Sequence, residues 1–225
     1  DMFNKKVINF IKRGKVKKII FTGMGSCYTA AIGISKYLSK KLISINRSDI
    51  KVDAITASEG SCFYLSDNMQ DTILFIMAQS GTTIDTNTFA LMAKKRGAYT
   101  IAIVNKKQGD ITYIVDKSIY MGNGRDIEIS VPSTKTYTCH LIIGFIVTEK
   151  IISILKNNIK QINFFKICKY IVSSNSVSDF FKKFDIDLKL NELRKKLFNY
   201  RNWIVVYDDS ENFFSAEELR IKLSE

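Results

Sequence analysis

Apolar positions along the chain fall into short β-branched and aromatic runs separated by longer stretches with helical spacing. The runs KKIIFTG (Lys17 to Gly23), KVDAIT (Lys51 to Thr56), TILFIMA (Thr72 to Ala78), YTIAIV (Tyr99 to Val104) and KSIYMG (Lys117 to Gly122) are bounded by Gly, Ser, Asn or Asp. They predict five strands. Helical patterns lie between them, notably Tyr28 to Leu42 and Asp85 to Gly97, the second closed by basic residues and a Gly stop. Strictly alternating strands and helices predict an α/β three-layer sandwich, with a five-stranded parallel sheet flanked by helices on both faces.

The pattern then changes. A long apolar helix is expected from Thr134 to about Leu155, followed by a polar segment that reads as one or two connecting helices with basic faces. Near the end, NWIVVYDDSENFFSAEELRIKLSE starts again with a strand (Trp203 to Tyr207), a turn and a helix, in the same form as KKIIFTGMGSCYTAAIGISKYL. The expected organisation is a first α/β domain over 1–160, a helical connector over 161–200, and the start of a second copy over 201–225.

Composition narrows the class. Hydrophobic residues make up 46% of the 225, enough for one substantial core. The apolar helix carries Glu149 and Lys150, which favours a buried core helix over a membrane span, so no membrane partner is expected. A net charge of +12 would favour a polyanion, but the basic residues are scattered and no helix-turn-helix or aromatic-basic module accompanies them. Nucleic acid is therefore not an expected partner, whereas a phosphorylated metabolite suits the positive field. Cys27, Cys62, Cys139 and Cys168 show no CxxC spacing and no nearby His, which predicts reduced thiols in a cytoplasmic protein, without metal or other cofactor. Cys27 is not expected to be a nucleophile, since the sole histidine, His140, has no evident way to serve it.

Candidate chemistry collects where strands give way to helices. Gly23, Gly25, Ser26 and Cys27 follow the first strand; Gln79, Ser80, Gly81, Thr82 and Thr83 follow the third; Ser130, Val131, Pro132, Ser133, Thr134 and Lys135 precede the long helix. Small hydroxyl residues beside the open NH groups of a helix start make a neutral cradle for a phosphate and for sugar hydroxyls. The competing reading is that Ser80 and Thr83 are helix caps and that Lys135 is a solvated first-turn residue. A dinucleotide fingerprint is disfavoured, because Tyr28 stands where the third Gly is needed and no acidic residue ends the second strand.

The stretches GMGSCYTAA, AQSGTTIDT and EISVPSTKTYT resemble the sugar isomerase (SIS) domain, a flavodoxin-like fold, and most closely the isomerase half of the glutamine:fructose-6-phosphate aminotransferase family, whose members carry two such domains in tandem. The resemblance implies that Gly25, Ser26 and Cys27 line the sugar, that Gln79, Ser80 and Thr83 hold the phosphate, and that Val131, Ser133 and Lys135 complete the pocket edge. Ala78 and Cys27 replace family serines and Thr82 replaces a Glu, which implies a weaker or differently tuned phosphate pocket. His140 stands where the family has Gln and is expected to be a core or interface residue.

AEELRIKLSE similarly resembles the opening of the family's second domain, which implies active-site roles for Lys222 and Glu225. The Glu would be the base that moves a proton between C1 and C2 of the open-chain sugar. On pattern alone the same helix reads as solvated and amphipathic. A catalytic carboxylate is poorly fixed as a last residue, so the chain is expected to be a fragment. The implied function is sugar-phosphate binding and aldose-ketose isomerisation, as in the conversion of fructose 6-phosphate to glucosamine 6-phosphate, by a homodimer acting on a phosphorylated hexose or hexosamine. The alternatives are a non-catalytic sugar-phosphate-sensing module and an aminosugar-phosphate deaminase or isomerase.

Overall fold

The computed structural model describes residues 2–124, 127–128, 133–157, 186–197, 200–208 and 212–224. Two compact units divide the chain, one formed by Asp1–Lys160 with Val206–Glu225 and the other by Gln161–Val205.

In the first unit the element order is α1 (Lys5–Lys12), β1 (Lys18–Gly23), α2 (Ser26–Ile43), β2 (Lys51–Thr56), α3 (Ala57–Phe63), β3 (Thr72–Ala78), α4 (Ile84–Lys95), β4 (Tyr99–Val104), α5 (Ile111–Ile114), β5 (Lys117–Tyr120) and α6 (Lys135–Leu155). The strands form one parallel sheet in the order β2-β1-β3-β4-β5. All five predicted strands are present, the last ending at Tyr120. The short helices α3 and α5 carry too few turns to stand out as a period in the sequence, whereas α1 sets Val7 and Ile11 four apart on one apolar face. In α1 the Asn4 side chain accepts from Val7 N at 3.0 Å, and only Val7 and Ile11 are buried.

Alternation along the strands divides the core. Ile19, Phe21, Ile73, Phe75, Ile101 and Ile103 face α1, α2 and α6, where Phe21 and Phe75 stack with ring centroids 5.0 Å apart. Ile20, Leu74, Ile76, Ala102 and Val104 face the opposite side, against Phe89, Ala90, Ala93 and Ile111. β3 is buried along its whole length, which explains its unbroken apolar run.

α6 packs along α2 through Gly144, where a Cβ would lie 2.2 Å from the Ile34 side chain. One face of α6 is buried, through Ile146, Val147, Ile151 and Ile154, while Phe145 on the other side is exposed. It is a core helix as expected, but one buried along a single face. The last helix of this unit, described below with the site, also lies on α2.

In the second unit the described residues include α7 (Ile186–Leu197) and an edge-to-face pair of rings, Tyr200 and Trp203. The predicted strand Trp203 to Tyr207 is irregular in the structure. A β-branched run becomes a strand only when a neighbour completes its ladder. Among the described residues none pairs with it, and Ile204 and Val206 are 91% and 84% exposed.

Candidate functional site

The strand order reverses between β1 and β3: the chain leaves β1 toward β2 and returns past it to build β3, β4 and β5 on the other side. Ligands of open parallel sheets settle at such a reversal, beyond the carboxyl ends of the strands. The β1–α2 and β3–α4 junctions, two of those singled out in the sequence, sit side by side there.

At the first junction a Cβ on Gly23 would come within 2.8 Å of the Cys27 backbone, so glycine is what allows α2 to start directly above the strand. Gly25 takes the helix-cap position at φ 53, a conformation that a side chain resists. The NH groups of Cys27 and Tyr28 are used within this turn, bonding to Met24 O and Gly25 O. The side chains of the first turn point to a partner from the far end of the chain. Helix α8 (Phe213–Ser224) lies on α2, fitted by Gly33, whose added Cβ would lie 2.9 Å from the Phe214 ring. It carries Glu218, only 6% exposed. Ser26 Oγ donates to Glu218 Oε1 at 3.0 Å, and Thr29 Oγ1 donates to Oε2 at 2.6 Å.

Lys222, one turn on from Glu218, completes the cluster. Its Nζ lies 2.6 Å from Glu218 Oε1, donates to Ser133 O at 2.6 Å and reaches Ser26 Oγ at 3.4 Å. A pair this enclosed costs more to desolvate than its attraction returns unless further hydrogen bonds satisfy both ions, and here Ser26, Thr29 and Ser133 supply them. Ser133 is buried, and its Oγ has no hydrogen-bond partner among the described residues. A ligand hydroxyl would satisfy it.

The second junction is open. Gly81 turns the chain at φ 72, and Gly109 from the β4–α5 loop presses so closely that a Cβ there would lie 2.4 Å from Ser80 O. Ser80 Oγ and Thr82 Oγ1 are 2.9 Å apart. Thr83 holds the cap position of α4, yet its hydroxyl makes no cap bond. Thr82 and Thr83 are exposed and Ser80 half-buried, so hydroxyls and a helix amino end face outward together. Of the two readings left open in the sequence, a capping side chain is the one the geometry of Thr83 does not support.

Cys27 joins the two junctions. Burial, offset in part by a hydrogen bond to the Gln79 backbone and reinforced by the charge of Glu218, pushes its thiol up to about 12. It is a neutral, buried thiol that contacts the β3–α4 turn from behind. Tyr137 is likewise raised to about 12, by burial first and by Glu218 second. His140 is fully enclosed, with Nε2 3.1 Å from Ile103 O, and burial lowers it to about 4 against the hydrogen bonds it makes to the Ile103 and Ala78 backbone. It is thus a neutral core residue below the end of β3.

The sequence-predicted residues divide accordingly. Gly25, Ser26, Cys27, Ser133 and Lys222 meet at the first junction; Gln79, Ser80 and Thr83 form the second. Lys135 begins α6 as an exposed side chain. Val131 and Glu225 lie outside the described residues. Glu218 and Thr29 were not foreseen. Their signal was the i, i+4 spacing of Glu218 to Lys222 and the i, i+3 spacing of Ser26 to Thr29, each of which places both groups on one helix face.

A cleft of about 560 Å³ lies at the amino end of β4, lined in part by Lys6, Arg13, Lys15, Lys94 and Tyr99. Apart from Lys94 and Tyr99 these are exposed surface groups. The buried polar cluster and the orphaned Ser133 hydroxyl are at the opposite end, and the candidate chemistry is there.

Comparison with known proteins agrees on the fold. The SIS domain family model matches residues 14–146. The glutamine–fructose-6-phosphate aminotransferase of Pyrococcus horikoshii is 30% identical over 184 residues, covering 80% of this chain and 29% of the relative. The probable enzyme of the same name from Acanthamoeba polyphaga mimivirus is 31% identical over 191 residues, covering 84% and 28%. The chain thus spans less than a third of the length of these relatives. Among solved structures, the C-terminal domain of the Francisella tularensis glucosamine-fructose-6-phosphate aminotransferase superposes with a TM-score of 0.57 at 23% identity, covering 70% of this chain and 41% of that one. A glucosamine-6-phosphate deaminase from Thermotoga maritima gives a TM-score of 0.52 at 22% identity, covering 66% and 46%. At these identities the two structures speak to the fold.

Proposed function

The chain belongs to the SIS domain family, and from that premise we propose that it binds a phosphorylated hexose or hexosamine across the β1 and β3 junctions and serves aldose-ketose isomerisation, as in the conversion of fructose 6-phosphate to glucosamine 6-phosphate. The observation that carries the reading is the adjacency of an open, hydroxyl-rich helix start to a buried Glu218–Lys222 pair. The phosphate sits on the turn of Gln79, Ser80 and Thr83, where hydroxyls and the amino end of α4 favour an anion. The sugar then extends toward Ser26, the unsatisfied Ser133 hydroxyl and Lys222.

Isomerisation moves a proton between C1 and C2 through an enediol, which needs a carboxylate near those carbons and a donor for the developing oxyanion. Lys222 is the donor in this proposal and Glu225, three residues on in the sequence, the base. Glu218 holds the Lys222 ammonium in place. The reading includes a cytoplasmic homodimer and a second SIS domain beginning near residue 201. The exposed Phe145, packed on Tyr37 with ring centroids 4.8 Å apart, suits burial between copies.

One observation favours the second reading, a sensing module. The Lys222 ammonium already has Glu218, Ser133 O and Ser26 around it, which uses its three hydrogens. Deuterium wash-in from heavy water at C1 or C2, followed by NMR on the protein that carries this chain, separates the two. Isomerisation requires exchange that disappears in Glu225→Gln with binding retained; binding without exchange in the unaltered protein leaves the sensing module.

A further inference from the structure

α2, α4 and α6 begin at the carboxyl edge of the sheet, and each amino end is in principle an anion site. Two of them already face carboxylates of the chain. The first turn of α2 holds Glu218 through Ser26 and Thr29. The amino end of α6 holds Glu128: its Oε2 accepts from Thr136 N at 2.8 Å, and its Oε1 accepts from Thr134 N and Thr134 Oγ1, both at 3.3 Å. Thr134, in the cap position, makes no cap bond with its own side chain. Glu128 therefore supplies the cap from six residues upstream of Thr134. α4 differs: no side chain caps it, and the acidic residue of its first turn, Asp85, is exposed and makes no bond to its NH groups among the described residues.

We propose that Glu128 is a positioning residue which closes the amino end of α6 to anions and holds Ser133 against Lys222, leaving the β3–α4 turn as the seat of the phosphate. This rests on the sugar-phosphate reading for the identity of the ligand, though not for the closure of α6. The geometry links the two effects. The carboxylate grips Thr134 N and Thr136 N, directly beyond Ser133, whose carbonyl takes the Lys222 ammonium. Removing it frees two backbone NH donors and the Thr134 hydroxyl at the positive end of a 21-residue helix and loosens the support of that carbonyl. A carboxylate in this place stays charged to lower pH than usual: burial works against it, and the hydrogen bonds from Thr136 and Thr134 outweigh burial.

The test is calorimetric titration of wild type, Glu128→Ala, Glu128→Gln and Glu128→Asp with inorganic phosphate and with fructose 6-phosphate. Circular dichroism confirms that each variant is folded. Glu128→Gln is close to isosteric and keeps a measurement available if the alanine variant unfolds. In Glu128→Ala, inorganic phosphate gains a binding mode absent from wild type, and that mode survives when Ser80→Ala and Thr83→Ala are added. Fructose 6-phosphate weakens about tenfold, the loss expected for hydrogen bonds to a charged group, with partial recovery in Glu128→Asp. A folded Glu128→Ala or Glu128→Gln protein with unchanged phosphate binding overturns the closure, and unchanged sugar-phosphate affinity overturns the positioning. Failure of wild type to bind any sugar phosphate would instead strike the functional reading, while the gain of inorganic phosphate would still decide the closure.

Discussion

The β1–α2 and β3–α4 junctions share one pattern in sequence, a buried strand breaking into glycine and hydroxyl residues before a helix, yet they end in opposite states. The first is sealed, its Ser26 and Thr29 hydroxyls spent on Glu218 from α8. The second is exposed, with the Thr83 hydroxyl making no cap bond at the start of α4. Local chemistry offers an anion site at both. A partner some 190 residues away decides which one remains open. In the proposed function the sealed junction supplies charge and the open one the place for a ligand.

The largest change should come from unsealing the first junction. Glu218→Ala leaves Lys222 and two hydroxyls without their shared partner, and should destabilise the protein by about 3–5 kcal/mol, toward the lower end because the Lys222 side chain is 27% exposed and can reach water. Urea denaturation measures it. Replacing Glu218 and Lys222 together by Gln and Met should cost less than the single change, since no buried charge is then left alone.

His140 supports the open junction from below, through the backbone at Ile103 and Ala78. Its folded form resists protonation down to about 4, against an ordinary value of 6.5. The unfolded chain therefore binds the extra proton first, and stability falls as pH drops below 6.5, the loss levelling off below about 4. The difference amounts to about 3 kcal/mol. Comparing urea midpoints of wild type and His140→Gln at pH 7 and at pH 4.5 isolates this share of the acid sensitivity, and equal slopes would contradict it.

Gly109→Ala should cost about 1–3 kcal/mol, because its Cβ would meet Ser80 O at 2.4 Å and the turn must move. It should also weaken phosphate binding, so stability and affinity fall together. Ser80→Ala with Thr83→Ala should show the contrast most sharply: hydroxyls at half-buried and exposed positions contribute within about 1 kcal/mol to stability, yet their loss should weaken sugar-phosphate binding about tenfold. Thermal melts and calorimetry on the same samples read both.

The sheet was legible from β-branched runs because a parallel strand buried on both faces leaves an unbroken apolar signature, clearest in β3. The same signature at Trp203 to Tyr207 misled, since a run of residues cannot report whether a neighbouring strand exists. Within the site, Ser26, Ser80 and Thr83 were marked by residue type at strand-to-helix junctions, and Lys222 by the family resemblance alone. Glu218 was not, because it reads as one more charge on an amphipathic helix until α8 is laid on α2. Glu128 was passed over because its partners, Thr134 and Thr136, lie six and eight residues on in the sequence, a spacing that no helical or strand period marks.

The central claim is that the open junction selects a phosphate. Calorimetric titration with fructose 6-phosphate and with unphosphorylated fructose tests it most directly. The phosphate ester should bind saturably, with binding lost or weakened about tenfold in the Ser80→Ala, Thr83→Ala protein, and the free sugar should not bind measurably. Equal affinity for both sugars would contradict it.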